Sequence, residues 1–529
     1  MVRSLVRIAF AGATLLMMDA AFAQITSATV TGGKVAGVVS EGVASFKGIP
    51  FAAPPVRNLR WKAPQPVVAW SGTRKAHTFG PSCMQDANFA KLFGAPPALS
   101  EDCLYLNVWT PAKSREQRLP VMVWIYGGGF VGGMTSVPAY DGTRLAQKGV
   151  ILVSVSYRLG VFGFLAHPDL TRETGKGSGN YGLLDMIAGL KWVKDNIAAF
   201  GGDPSRVTVF GESAGGFAVN MLAASPHAKG LFHGVISESG GSFGPPRLSN
   251  EGGTMVPPMK IAEASGKSFL DKLGAPDIKA ARALDATVIQ KALGPGLQGS
   301  FFPVFDGDVL PGDLYVLYSS GRFNDTNVLI GTNSDEGGMF GPPGGVTPTA
   351  FEQQVRQGYG ALADSILEAY PHATPAEATR ASANLFRDST FAWSTWTWAR
   401  LQSEKGKGKA YLYYIDHRTA RSPNGSSHGS EIGYVFRNLG GPGAGPAGLQ
   451  GPPTAEDEQL SDLLSGYWVN FAKTGDPNGG GLPPWPVFSA SAQKALVVDQ
   501  HPGARPVPNQ EQLQALDSYY AWRRAPAEK

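Results

Sequence analysis

The stretch Val207-Thr-Val-Phe-Gly-Glu-Ser-Ala-Gly-Gly216 sets a serine between glycines at the end of a β-branched run. The run reads as a strand, Ser213 as the crest of a sharp turn, and the alanine-rich segment after it as a helix; Gly211 and Gly215 stand where a side chain would obstruct the turn. A serine hydroxyl is a weak nucleophile and needs a base beside it and donors for the oxyanion it creates. The chemistry suggested is acyl transfer, which requires partners elsewhere in the chain. Donors fit the segment 121–130, an apolar strand followed by Gly127, Gly128 and Gly129, whose N–H groups can approach a substrate oxygen with no Cβ in the way. For the base, His227 and His233 follow Ser213 too closely to fold back on it easily, while His372, His417 and His501 stay open beside His428. His428, in the small-residue loop Ser426-Ser-His-Gly-Ser-Glu431 after a strand, is the favoured candidate. For the acid, Gly331-Thr-Asn-Ser-Asp-Glu-Gly-Gly338 offers Asp335 and Glu336 side by side. Either could orient an imidazole, and spacing does not choose between them.

These residues need a frame. Apolar runs at 104–109, 121–125 and 150–157 read as strands buried on both faces, and 234–237, 327–331 and 410–415 as further strands. Segment 182–200 carries Leu183, Leu184, Ile187, Leu190, Val193 and Ile197 as a helical stripe, and leads through the turn Gly201-Gly-Asp-Pro204 into the strand of Ser213. Strands alternating with helices predict an α/β fold with a central, mostly parallel sheet flanked by helices. Segments 253–299 and 348–407 are helical but irregular and are expected as insertions above the sheet; 460–473 reads as a further helix. A small hairpin is expected over 28–46, a proline-rich packed loop over 46–55, and a Gly/Pro loop over 440–453. Residues 24–529 are expected to form a single domain.

Composition narrows the setting. Arg3 and Arg7, an apolar run over 8–18 and the small-x-small end Ala21-Phe-Ala23 have the order of a secretory signal peptide. Residues 1–23 are therefore expected to be removed, and the mature chain to be secreted or periplasmic. No later run reaches the ~18 apolar residues of a membrane span, so no membrane anchor is expected. A net charge of +4 over 529 residues is too near balance to suggest a nucleic-acid partner. The two cysteines, Cys83 and Cys103, are an even count that fits one disulfide in an exported chain, and too few for a cysteine-based zinc site. The chemistry above calls for no metal or cofactor, only a small molecule with an acyl group to transfer.

Gly201-Gly-Asp-Pro-Ser-Arg-Val-Thr-Val-Phe-Gly-Glu-Ser-Ala-Gly-Gly216 together with Glu101-Asp-Cys-Leu-Tyr-Leu-Asn-Val-Trp109 resembles the type-B carboxylesterases, the branch of the α/β-hydrolase fold that includes the cholinesterases. Similarity extends to 46–55, 156–164, 179–185 and 468–478, nearly the whole mature chain. The resemblance implies Ser213 as nucleophile, Glu336 as acid and His428 as base. It also implies the N–H groups of Gly128, Gly129 and Ala214 as oxyanion hole, and a Cys83–Cys103 disulfide. Phe93 stands where cholinesterases carry a tryptophan that holds the choline cation; it is a weaker cation partner, so a choline ester is not expected. Met186 replaces the family's usual glutamine, with only local repacking expected. The implied activity is hydrolysis of a carboxylic ester through an acyl-serine. Lactones, amides, and polymeric, aromatic or toxin esters would use the same site, and a non-catalytic adhesion role is the alternative of another class. The pocket is expected to be walled by the insertions and by 239–246 and 337–345, where Phe243, Met339 and Phe340 supply either pocket surface or ordinary packing.

Overall fold

The apolar runs form strands because β-branched and aromatic residues succeed one another without a polar face, which suits burial on both sides of a sheet. The computed structural model describes residues 24–94, 96–249, 251, 255–297, 301–440 and 452–525. The expected signal peptide at 1–23 and most of the expected loop at 440–453 lie outside them. In chain order the main sheet contains β1 (Val38–Ser40), β2 (Val43–Pro50), β3 (Tyr105–Thr110), β4 (Leu119–Ile125), β5 (Ile151–Val155), β6 (Gly202–Glu212), β7 (Gly234–Glu238), β8 (Asn327–Asn333), β9 (Ala410–Ile415), β10 (Lys494–Val498) and β11 (Gly503–Pro506). Their order across the sheet is β11-β10-β9-β8-β7-β6-β4-β5-β3-β2-β1. From β10 through β5 every pairing is parallel, while β1, β2, β3 and β11 run antiparallel at the edges. Val121, Met122, Val123, Trp124 and Ile125 of β4 are all fully buried, as an interior parallel strand requires.

Helices cover the sheet. Those that matter for the site are α1 (Ala87–Lys91), α2 (Tyr181–Asn196), α3 (Ala214–Ala224), α4 (Pro375–Arg387), α5 (Trp393–Lys405) and α6 (Ala455–Thr474). Helix α3 packs on β6 and β7, and α5 on β8 and β9. A π-helical turn, Asp388–Ala392, joins α4 to α5, so 375–405 is one continuous rod. The insertions are helical as expected, with Met259–Leu273, Ile278–Ala283 and Ala286–Leu297 filling the first.

The structure corrects two expectations. The segment 46–55 is not all loop, because β2 runs to Pro50. Pro50 occupies the strand's last position, and a register shift between Phe46 and Ile49 is absorbed at Gly48, which adopts φ 73°. The turn 201–204 is likewise not a break before the strand. β6 begins at Gly202, and the turn survives as an irregularity between Gly202 and Val207, where the Asp203 carboxylate accepts the N–H of Ser205. The hairpin over 28–46 is present as Ser27–Val30 against Gly33–Ala36.

Cys83 and Cys103 are joined as a disulfide with a sequence separation of 20. It closes the loop that carries α1, whose first turn is capped by the Asp86 carboxylate. Closing a loop of this length in the unfolded chain is worth about 3 kcal/mol in the chain-entropy model. The double variant Cys83→Ala/Cys103→Ala should therefore inactivate at a lower temperature than the parent in a thermal challenge; equal midpoints would show the disulfide to be dispensable.

Candidate active site

The chemistry-bearing residues gather at the carboxyl ends of β4, β6, β7, β8 and β9, where open α/β sheets place their ligands. Ser213 follows β6 at φ 53°, ψ −122°, a conformation that costs a non-glycine residue of order 1–3 kcal/mol. The surroundings hold it there. Its N–H donates to the Glu238 carbonyl at 2.9 Å, and its carbonyl accepts the Phe217 N–H at 2.8 Å, the first bond of α3. The flanking glycines are obligatory: a Cβ on Gly215 would lie 2.0 Å from the Ile125 carbonyl oxygen, and one on Gly211 2.6 Å from the same atom. Gly128 (φ 105°) and Gly129 (φ 64°) follow β4 and, with Gly127 and Ala214, line the same cavity as Ser213.

Beyond β8, the two neighbouring carboxylates part company. Glu336 is fully buried, and its Oε2 lies 2.5 Å from His428 Nδ1. Its Oε1 accepts the Ser239 hydroxyl at 2.5 Å and the Asn333 N–H at 2.7 Å. Asp335 instead pairs with Arg380 at 2.9 Å. The loops that carry Glu336 and His428 are laced together directly. The Asp335 N–H donates to the Ser426 carbonyl at 2.9 Å, the Ser426 N–H to Ser334 Oγ at 3.1 Å, and Asn333 Nδ2 to the Ser427 carbonyl at 2.9 Å. The other histidines serve elsewhere: His227 pairs with Asp308, His233 accepts the Val207 N–H, and His372 faces Glu352.

The sequence did not mark a second carboxylate on the same imidazole. Glu212 precedes the serine, is buried, and sets Oε1 3.2 Å from His428 Nε2. Burial alone would lower the imidazole's pKa, but Glu212 and Glu336 outweigh it and lift the group to about 9. Burial, reinforced by Glu336 and opposed by His428, raises Glu212 to about 7. Two more buried carboxyl groups stand behind. Glu238 accepts from Trp468 Nε1 at 2.8 Å and is raised to about 8, mainly by burial; Glu431 accepts from Asn333 Nδ2 at 2.5 Å and is raised well above the usual carboxylate range, by burial and the neighbouring glutamates. Ser239, Glu212 and the glutamates behind them could have been suspected only from knowing which strand ends meet.

The cavity measures about 390 Å³. Around its polar floor stand Phe89, Phe93, Phe217, Phe302, Phe386 and Phe391, and among its described lining residues there is no lysine or arginine. Phe391 stacks on the His428 ring at 4.7 Å with 26° between planes, and Phe340 meets it edge-on at 5.3 Å. Met339 and Phe340 line the pocket, but Phe243 does not: it is fully buried against Tyr318 and Trp398. Leu92, Met339, Phe340 and Phe386 remain exposed and make the mouth apolar.

A model of the carboxylesterase family matches residues 20–516. The chain belongs to the carboxylesterase family. It is similar to a fumonisin B1 esterase from Sphingopyxis macrogoltabida, 40% identical over 86% of this chain and 83% of that one, and to a para-nitrobenzyl esterase from Bacillus subtilis, 35% identical over 92% and 97%. Among solved structures, a thermophilic para-nitrobenzyl esterase superposes with a TM-score of 0.82 at 34% identity, over 93% of this chain and all of that one. This carboxylesterase is accordingly a carboxylic ester hydrolase with the α/β-hydrolase fold, and its substrate is a small-molecule ester. Among the described residues of the carboxylesterase, no helix is long and apolar enough to cross a membrane.

A base must be neutral to accept a proton, so anything that favours the imidazolium moves the acid limb of activity upward. For His428 as that base, with carboxylates on both its nitrogens, the limb of kcat/KM should lie above the ~6.5 of an unperturbed imidazole. Glu212→Gln removes the charge beside Nε2, disfavours the imidazolium and should move the limb to lower pH. A pH–rate profile of the two proteins checks this, and an unmoved limb would show that Glu212 carries no charge in the free enzyme.

Proposed function

We propose that this chain is an exported serine esterase that cleaves neutral, largely apolar esters through an acyl-serine intermediate. The reading is carried by one observation: a fully buried carboxylate, Glu336, 2.5 Å from the imidazole of His428, which shares an apolar cavity with Ser213. In this reading His428 Nε2 takes the proton of Ser213 as the hydroxyl oxygen attacks the ester carbonyl. Glu336 holds Nδ1–H and steadies the charge that forms on the ring. The N–H groups of Gly128, Gly129 and Ala214 receive the oxyanion; a donor of this kind is worth about 2.7–4 kcal/mol of transition-state stabilisation. His428 returns the proton to the leaving alcohol, then activates a water that releases the acid and frees Ser213. The strained φ of Ser213 supports the assignment, since that conformation projects the hydroxyl at the N-terminus of α3, where negative charge is favoured.

The substrate class follows from the lining. Aromatic rings on all sides and no cationic side chain among the described lining residues favour neutral acyl and alcohol groups over carboxylate-bearing ones. Phe93, on the loop closed by the disulfide, faces the cavity where a stronger cation partner would be needed for a choline ester. Export is supported by the order of features at the N-terminus: a basic start, an apolar run and Ala21-Phe-Ala23. A second reading, hydrolysis of the compound for which the Sphingopyxis relative is named, fumonisin B1, is favoured by the 40% identity.

Ser213→Ala should lower kcat/KM for an activated aryl ester by about a thousandfold or more, and an organophosphate should leave its adduct on Ser213 in a mass spectrum of the wild-type protein. Retained activity, or an adduct elsewhere, would end the assignment. Across a matched series, kcat/KM should rise with the length of a neutral acyl chain and fall on adding a carboxylate to it. Fumonisin B1 belongs in that series, and preference for it over every neutral aryl ester would favour the second reading.

A further inference from the structure

The rod formed by α4, the π-helical turn and α5 passes directly behind the acid and the base. Arg380, the neighbours Ala383 and Asn384, Arg387 and Phe391 follow one another at steps of three or four residues along it and so share one face. That face meets the loop of Glu336 along its length. Arg380 pairs with Asp335 at 2.9 Å; a Cβ on Gly337 would lie 2.0 Å from the Ala383 carbonyl; and Arg387 Nη1 donates to the Ser334 carbonyl at 3.0 Å. One turn further, the Phe391 ring stacks on His428.

Arg387 does more than balance a buried charge. Its side chain is 5% exposed, and Nε and Nη2 make a two-pronged contact with Asp388 at 2.7 and 3.0 Å, which already neutralises the pair. Nη1 is then aimed away from Asp388, toward Ser334, Asn384 Oδ1 at 3.2 Å and the Tyr414 hydroxyl at 3.4 Å. Asp388 in turn accepts the Tyr370 hydroxyl at 3.0 Å, which fixes the fork from the other side. Ser334 is the junction of the site: its carbonyl takes the guanidinium, its Oγ takes the Ser426 N–H from the loop of His428, and Glu336 lies two residues on.

We propose that Arg387 and Phe391 are positioning residues for the Glu336–His428 pair, the guanidinium fixing the acid's loop through Ser334 and the phenyl face fixing the imidazole ring. The proposal rests on the reading of Glu336 and His428 as acid and base. Neither residue touches the reacting bond. Each sets the geometry of a group that does, and a rigid helix face keeps the two settings in register. Lysine cannot substitute for the arginine, because a single ammonium on a flexible stem cannot span Asp388 and the Ser334 carbonyl in one planar fork.

Removing a buried guanidinium outright leaves Asp388 uncompensated, so the test uses Arg387→Lys, which keeps the charge, and Phe391→Leu, which removes none. Both are assayed with an activated aryl ester of a small acid, across pH. Each should lower kcat by about tenfold or more with KM within about twofold, as expected when a reacting group is displaced rather than substrate binding lost. The acid limb of kcat/KM should also move to lower pH. His428 is faced by Glu336 from the loop after β8, by Glu212 from the end of β6 and by the rings of Phe391 and Phe340; a slackened Glu336 or a missing ring favours the imidazolium less. Arg387 is faced by Asp388 and Tyr414, and Arg380 by Asp335, none of which touches the imidazole. Packing alone would lower the inactivation temperature and leave kcat and the limb in place. That result in both variants, or a change confined to one of them, overturns the proposal. If Arg387→Lys gives no folded protein, Phe391→Leu decides alone. Glu336→Gln in the same assay separates the two failures. Wild-type activity there removes the acid assignment and the positioning proposal with it; an inactive Glu336→Gln beside unaffected Arg387→Lys and Phe391→Leu removes only the positioning.

Discussion

The structure turns on how closely two chain segments pass at the end of β6. For Ser213 to stand at the crest between strand and helix, the backbone at 211 and 215 must cross within a methyl's width of the Ile125 carbonyl, and only glycine allows it. That approach fixes the separation of β4 from the start of α3. It thereby sets the glycine turn after β4 opposite Ala214. The strain in Ser213 is sustained by hydrogen bonds on both sides and by the dense, fully buried sheet beneath, so the neighbouring strands hold the conformation that the serine alone would not adopt.

Electrostatics makes a second demand on the same volume. Glu212, Glu238, Glu336 and Glu431 are all buried around one imidazole, and a low-dielectric site cannot hold so many negative charges with a single positive one. The protein keeps one carboxylate fully satisfied: Glu336, with donors from Ser239, Asn333 and His428. The others are pushed toward their neutral forms, chiefly by burial. The outcome is an imidazole whose protonation reports on its neighbours as much as on the solvent, and a mouth whose exposed surface is apolar while its interior polar groups are held by the strand ends.

Much of this was written plainly in the chain. The strands announced themselves through unbroken apolar runs, and the nucleophile turn through its glycines, because backbone sterics leave few other residues that fit. The choice between Asp335 and Glu336 was open to spacing; the resemblance chose Glu336, which lies against His428, while Asp335 pairs with Arg380. Glu212 and Ser239 escaped because their partners lie on other strands, so nothing local signals them. Phe391 and Arg387 escaped for a related reason: they lie in a helical insertion whose periodicity is interrupted by the π-helical turn. The strand ending at Pro50 was obscured because proline usually marks a loop, although at a strand's last position it costs no ladder bond.

The disulfide-closed loop joins two duties within one molecule. Phe89, Leu92 and Phe93 lie between Cys83 and Cys103 and line the cavity, while Gln85 of the same loop exchanges hydrogen bonds with the Gly133 backbone, just beyond the glycine turn that follows β4. A covalent tie at the base of this segment therefore steadies the cavity wall and the turn it leans on together. Surroundings that reduce the disulfide would loosen both at once.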